Sequence, residues 1–141
     1  GELFAVLRDH SILGRAAAGS GPGGDGDAAF LRGVDAAREA DWIAPLLFSA
    51  RALVLTGGIA PADALDYLSG LLIGDELRSA LTEPGGAPLL IGEPALCARY
   101  ARALARFGVD GAEAVPDAAV AGLWSIASAA GIVKTTKTEV A

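Results

Sequence analysis

Apolar positions along this chain recur mostly at helical spacing. From Glu2 to Leu7 the pattern predicts a short helix with Leu3, Val6 and Leu7 inward; Asp9-His10-Ser11 interrupts it before Ile12, Leu13 and Gly14. A second helix runs from Ala28 to about Ala40, with Phe30, Leu31, Val34 and Ala37 on one face and Asp27 placed to cap it. Trp42 to Leu55 is almost wholly apolar, and its length predicts a buried helix after Pro45. From Pro61 to about Leu81, Leu65, Leu68, Leu71, Leu72, Ile73 and Leu77 point in several directions, so that helix is expected to be buried on most sides. Pro61 suits its first turn, and Asp63 suits the positive end of its dipole. A last helix is expected from Ala118 to Ala130, opened by Pro116 and Asp117 and ended by Gly131, with Val120, Leu123, Trp124 and Ala127 inward.

The pattern changes at Pro88–Gly108. Leu89, Leu90 and Ile91 form a short apolar run without alternation, as in a strand covered on both faces. Gly92 turns the chain, and Pro94 fits the first turn of a helix because it has no N–H to leave unpaired. Leu96, Tyr100, Ala103, Leu104 and Phe107 then share one helical face, and Gly108 stands where helices end. Val109 to Val115 is a second short strand candidate, expected to pair in parallel with the first. The fold class is therefore α/β, mostly helical, ending strand-helix-strand-helix. A strand feeding a helix through glycine is where open α/β sheets bind ligands, since helix N–H groups point into the crevice.

At 141 residues the chain is about one domain in length. A net charge of −6 argues against broad binding to nucleic acid or to anionic membranes. The single cysteine, Cys97, rules out an internal disulfide and suits a reducing compartment. Together with the single histidine, it also makes a soft-ligand metal site improbable. Arg51, Asp75 and Gly/Pro breaks interrupt the longest apolar runs, so no membrane span is expected, and no signal peptide is expected at the start.

Several residues could carry chemistry. His10 could donate and accept hydrogen bonds, or simply end a helix at the surface. Arg51 stands alone in an apolar run, so its guanidinium needs an acidic or carbonyl partner or a ligand anion. Gly70 and Gly74 lie one turn apart, inviting either another backbone or a flat ligand. Gly57-Gly58 after Val54-Leu55-Thr56 could approach a nucleotide or could join two helices. The glycine-rich stretch 19–26 is expected to be a flexible loop without the lysine of a phosphate loop. Glu83 to Gly86 is expected to be a turn. Arg99, Arg102 and Arg106 are expected to form a solvated stripe, and 134–141 a frayed polar tail.

Four stretches and a spacing pattern, in order, resemble the C-terminal half of the 2-dehydro-3-deoxygalactonokinase family. These are Gly1–Gly14, LFSARA at Leu47–Ala52, YLSGLLIGDEL at Tyr67–Leu77, LLIG with its helix at Leu89–Gly108, and D-x-x-x-x-G-x-x-x-I-A at Asp117–Ala127. The resemblance implies the C-terminal, nucleotide-facing lobe (1–133) of an actin-like, ribonuclease-H-like sugar kinase. Its members transfer the γ-phosphate of ATP, with Mg²⁺, to the 6-hydroxyl of 2-dehydro-3-deoxy-D-galactonate in galactonate breakdown, a cytoplasmic reaction.

The resemblance implies that Gly92 and Glu93 face the adenosine, with Pro94 and Gly70 beside them. Glu2, His10 and Arg51 are the substrate-side candidates, Arg51 for the sugar-acid carboxylate. It also implies that Gly57-Gly58 joins two helices. The family's two glycine-rich phosphate loops do not occur in this sequence, so the catalytic base and most Mg²⁺ contacts are expected on an N-terminal lobe acting as partner, and this chain alone is expected to be inactive. The oligomeric state stays open, a homo-oligomer included. The rival reading is a noncatalytic helical interaction domain whose glycines serve only packing.

Overall fold

The computed structural model describes residues 1–17, 24–82 and 88–133. The turn expected at 83–86, the tail at 134–141 and most of the glycine-rich stretch lie outside the described residues. The elements are α1 (Glu2–His10), α2 (Ile12–Ala16), α3 (Gly26–Glu39), α4 (Ala44–Leu47), α5 (Ser49–Leu55), a 3₁₀ turn (Pro61–Asp63), α6 (Ala64–Ala80), β1 (Leu89–Leu90), α7 (Pro94–Arg106), β2 (Glu113–Ala114) and α8 (Ala118–Ala129). The mostly helical α/β expectation holds. So does the parallel pairing, with Leu89 opposite Glu113 and Leu90 opposite Ala114.

The centre of the fold is the α3–α6 pair, packed along its whole length. Glycines make the approach close. A Cβ on Gly70 would overlap the Phe30 carbonyl oxygen, and one on Gly33 would overlap the Tyr67 carbonyl oxygen. Because its apolar side chains point in several directions, α6 joins two cores. Tyr67, Leu68 and Leu71 pack with Leu13, Ala29, Ala37 and Ala50, while Ile73 and Leu77 pack with Phe30, Val34, Ala103 and Leu104.

Helix ends follow local chemistry. Asp25, not Asp27, caps α3, its carboxylate accepting the Ala28 N–H at 3.0 Å. At the end of α5, Gly57 has φ +73°, and the Gly57 and Gly58 N–H groups close onto the Val54 and Leu53 carbonyls. That is the paired closure that takes up the carbonyls left open at a helix end. Gly57-Gly58 is therefore a helix-to-helix turn, secured by Arg32 donating to the Gly58 carbonyl at 2.8 Å.

Further expectations are overturned: Leu3 and Val6 on α1 and Leu89 and Ile91 at β1 are exposed rather than covered, and three more differences follow. Trp42–Leu55 is not one buried helix but two short ones, α4 and α5, of whose residues only Ala50 is buried; Trp42, Phe48 and Leu55 are exposed. The Ser49 hydroxyl at the break donates to the Leu46 carbonyl at 2.5 Å, a local bond that competes with helix continuation. The arginine stripe is not merely solvated. Arg99 pairs with Asp66, Arg102 with Asp27 at 2.6 Å, and Arg106 Nε with Asp35 at 3.0 Å, fastening α7 to α3 and α6. Arg99 and Arg102 also stack on the Phe30 ring at 5.2 and 5.8 Å. Finally, Val120, Leu123 and Trp124 on α8 do not point inward, since no residue of α8 is buried.

Candidate functional site

The β1–α7 turn borders two adjoining recesses. The larger, about 640 Å³, lies between α1, the α4 region, α6 and α7. Phe4, Leu47, Leu65, Leu72 and Leu96 make much of its apolar wall, and Asp66, Glu76, Glu93 and Arg99 stand among its polar residues. The smaller, about 260 Å³, is lined by Leu89, Leu90, Ile91, Gly92 and Cys97. Glu76, Leu96 and Tyr100 border both recesses.

Local sequence shapes this rim. The backbone at Gly92 is not left-handed, and a Cβ there would meet only Cys97 Sγ at 3.7 Å. The space above the turn is thus open, and the chain's own packing does not require glycine. Glu93 is the N-cap of α7, its Oε2 accepting the Leu96 N–H at 3.1 Å, and Pro94 occupies the first turn. The positive end of the helix dipole is already partnered by a carboxylate, so this helix start suits a hydroxyl or an uncharged ring better than a phosphate.

The Tyr100 hydroxyl donates to Glu76 Oε2 at 2.5 Å. Partial burial, then that hydrogen bond, push the phenol well above its ordinary range. Arg106 and Arg102, through their hydrogen bonds, hold the Asp35 and Asp27 carboxyls below the usual carboxylate range.

The predicted site residues do not all meet. Gly92, Glu93 and Pro94 are exposed together at the turn. Gly70 is a correction: it is buried against α3, whose backbone fills the side a flat ligand would need. Glu2 and His10 are exposed at opposite ends of α1, about 12 Å apart along the helix axis. Neither lines the larger recess, which takes Gly1, Leu3, Phe4 and Arg8 from that end of the chain. Arg51 is half-buried on α5, and no described acidic residue pairs with it. Sequence reasoning missed Glu76 as a recess residue. The available signal was Tyr100, whose hydroxyl on an apolar helix face requires a partner.

Comparison with known proteins covers nearly all of these elements. The matching family is described as 2-keto-3-deoxy-galactonokinase, and its model aligns with residues 1–126. A "Probable 2-dehydro-3-deoxygalactonokinase DgoK1" of Rhizobium meliloti (strain 1021) is 41% identical over 133 residues, which are 92% of this chain and 44% of that protein. The 2-dehydro-3-deoxygalactonokinase of Escherichia coli (strain K12) is 35% identical over 132 residues, again 92% of this chain and 44% of that protein. The crystal structure of a "putative 2-dehydro-3-deoxygalactonokinase protein" from Sinorhizobium meliloti superposes with a TM-score of 0.78 at 38% identity, covering 94% of this chain and 46% of that one. The chain spans less than half the length of these relatives, yet the family match runs through both recesses and the α3–α6 centre. It belongs to the 2-keto-3-deoxy-galactonokinase family.

Proposed function

We propose that this chain is the C-terminal portion of an actin-like sugar-acid kinase. The whole enzyme would transfer the ATP γ-phosphate to the 6-hydroxyl of 2-dehydro-3-deoxy-D-galactonate in galactonate breakdown, in the cytoplasm where ATP is supplied. The observation that carries this reading is the family match over residues 1–126, which includes the complete β1–α7 turn.

In this reading adenosine lies over that turn. The open space at Gly92 supports it, because a nucleoside could approach the backbone there. Leu96 and Tyr100 offer an apolar wall for the base, and the exposed Glu93 carboxylate offers an acceptor for ribose hydroxyls. The phosphates point away from Glu93. Among the described residues no group of three or more His, Cys, Asp or Glu is placed to hold a metal ion. On the family resemblance, Mg²⁺, both phosphate loops and the catalytic base are assigned to the remaining half of the kinase, and without that half this chain would be inactive. Phosphoryl transfer depends on positioning and charge neutralisation, which those parts supply. Arg51 is the group proposed for the sugar-acid carboxylate; Glu2 and His10, about 12 Å apart along α1, would not both reach one six-carbon substrate.

The test joins this chain to the preceding half of the Rhizobium meliloti relative and measures ATP binding by calorimetry. Gly92→Val is expected to weaken ATP at least tenfold while sugar-acid binding stays within twofold. If no ATP binds to the folded joined protein, the kinase reading fails; if Gly58→Val alone abolishes binding in a folded protein, the placement of the nucleotide is wrong.

A further inference from the structure

We propose that α8 is the docking element for the half of the kinase that the relatives carry beyond this chain's match. The inference rests on the proposed function for the identity of that half, and on the structure for the surface. The sequence of α8, AAVAGLWSIASA, contains no charged residue. A helix that is apolar all round is normally buried. Yet Val120 and Leu123 are each 67% exposed and Trp124 is 56% exposed.

Three occupants could cover such a helix. Crossing a membrane is excluded by length, because twelve residues span about 18 Å against roughly 30 Å of hydrocarbon. A second copy fits poorly. At 100° per residue, Val120, Leu123, Trp124 and Ala127 form a bulky stripe, while Ala121, Gly122, Ser125 and Ala129 form a small-residue side. A two-fold contact covers one self-complementary patch and leaves the other side bare. The rest of the kinase is the occupant that fits. The family match reaches residue 126, so most of α8 belongs to the family's shared fold, and the relatives have more than half their length left to contribute. The short β1–β2 sheet points the same way. Two strands alone are marginal, and Leu89 and Ile91 stand exposed on and beside β1.

The test uses the chain alone and the chain joined to the preceding half of the Rhizobium meliloti relative. A Trp42→Phe background, labelled with 5-fluorotryptophan in this chain before segmental ligation, leaves Trp124 as the only reporter in the ¹⁹F spectrum. In the joined protein the Trp124 signal is expected to lose its solvent isotope shift, and amides 118–129 to exchange at least tenfold more slowly than in the chain alone. Leu123→Asp should leave the melting temperature of the isolated chain within 2 °C and lower that of the joined protein. If Trp124 stays as exposed in the joined protein as in the chain alone, the docking is refuted. The same holds if Leu123→Asp unfolds the isolated chain, since the stripe would then be covered from within. ATP binding with Trp124 exposed would overturn the docking and keep the kinase. Trp124 buried without ATP binding would do the reverse.

Discussion

Gly70 of α6 meets the Phe30 carbonyl of α3 so closely that no side chain fits between them. One turn on, a Cβ at Gly74 would lie 2.9 Å from both the Ala37 methyl and the Val34 carbonyl oxygen. Glycine weakens a helix intrinsically. Here that cost is accepted for backbone contact between the two longest helices, which sets how the two cores meet.

Gly70→Ala is accordingly expected to destabilise the protein by about 1–3 kcal/mol, the usual cost of overpacking. The measurement is urea unfolding, with a lower midpoint and an unchanged slope. An unchanged midpoint would mean that α3 and α6 are not in backbone contact.

Gly92→Val should behave differently in this chain. Its Cβ has open space, so the unfolding midpoint should stay within error of the parent. Gly58→Val should lower the midpoint, because a Cβ there approaches Leu53 Cδ2 at 2.9 Å within a tight helix closure. Circular dichroism melts of both variants check the pair.

Stability should fall in acid through Asp35 and Asp27. Their folded carboxyls sit below the ordinary range because of Arg106 and Arg102. A depressed folded value means that the contribution is present above the unfolded value, near pH 4, and is lost as pH falls through the folded value. Asp35→Asn should lower stability at pH 7 and shrink the difference between pH 7 and pH 3, as read by urea midpoints at each pH.

Tyr100 gives the opposite sign. Its folded value is raised, so its contribution is complete below the unfolded value near pH 10 and is lost as pH rises through the folded one. In a Tyr67→Phe background Tyr100 is the only tyrosine. Its phenolate absorbance should appear only well above pH 10, and Glu76→Gln should move that rise to lower pH.

Much of the local structure was legible along the chain. Helical spacing marked α3, α6, α7 and α8 within a few residues, and the change at Leu89–Ile91 marked β1. Gly108 and Gly131 marked helix ends, whereas Gly57 fitted a nucleotide-approaching turn as well by local pattern alone. These features depend on hydrogen bonds and side-chain directions among residues three to five apart, which a linear sequence displays directly. The turn at Gly92–Glu93–Pro94 was legible for the same reason, and the family through the resemblance of several stretches taken in order.

Which surfaces meet was decided only by the tertiary structure. Arg99, Arg102 and Arg106 were read as solvated, yet their acidic partners lie 33, 75 and 71 residues away. Gly70 was read as both a ligand position and a packing position, and only the arrival of α3 separates the two. The α8 stripe was correctly seen as apolar, but periodicity reports which residues share a side and never what lies opposite it. Burial belongs to the pair of surfaces, and half of that pair is fixed by chain distant in sequence.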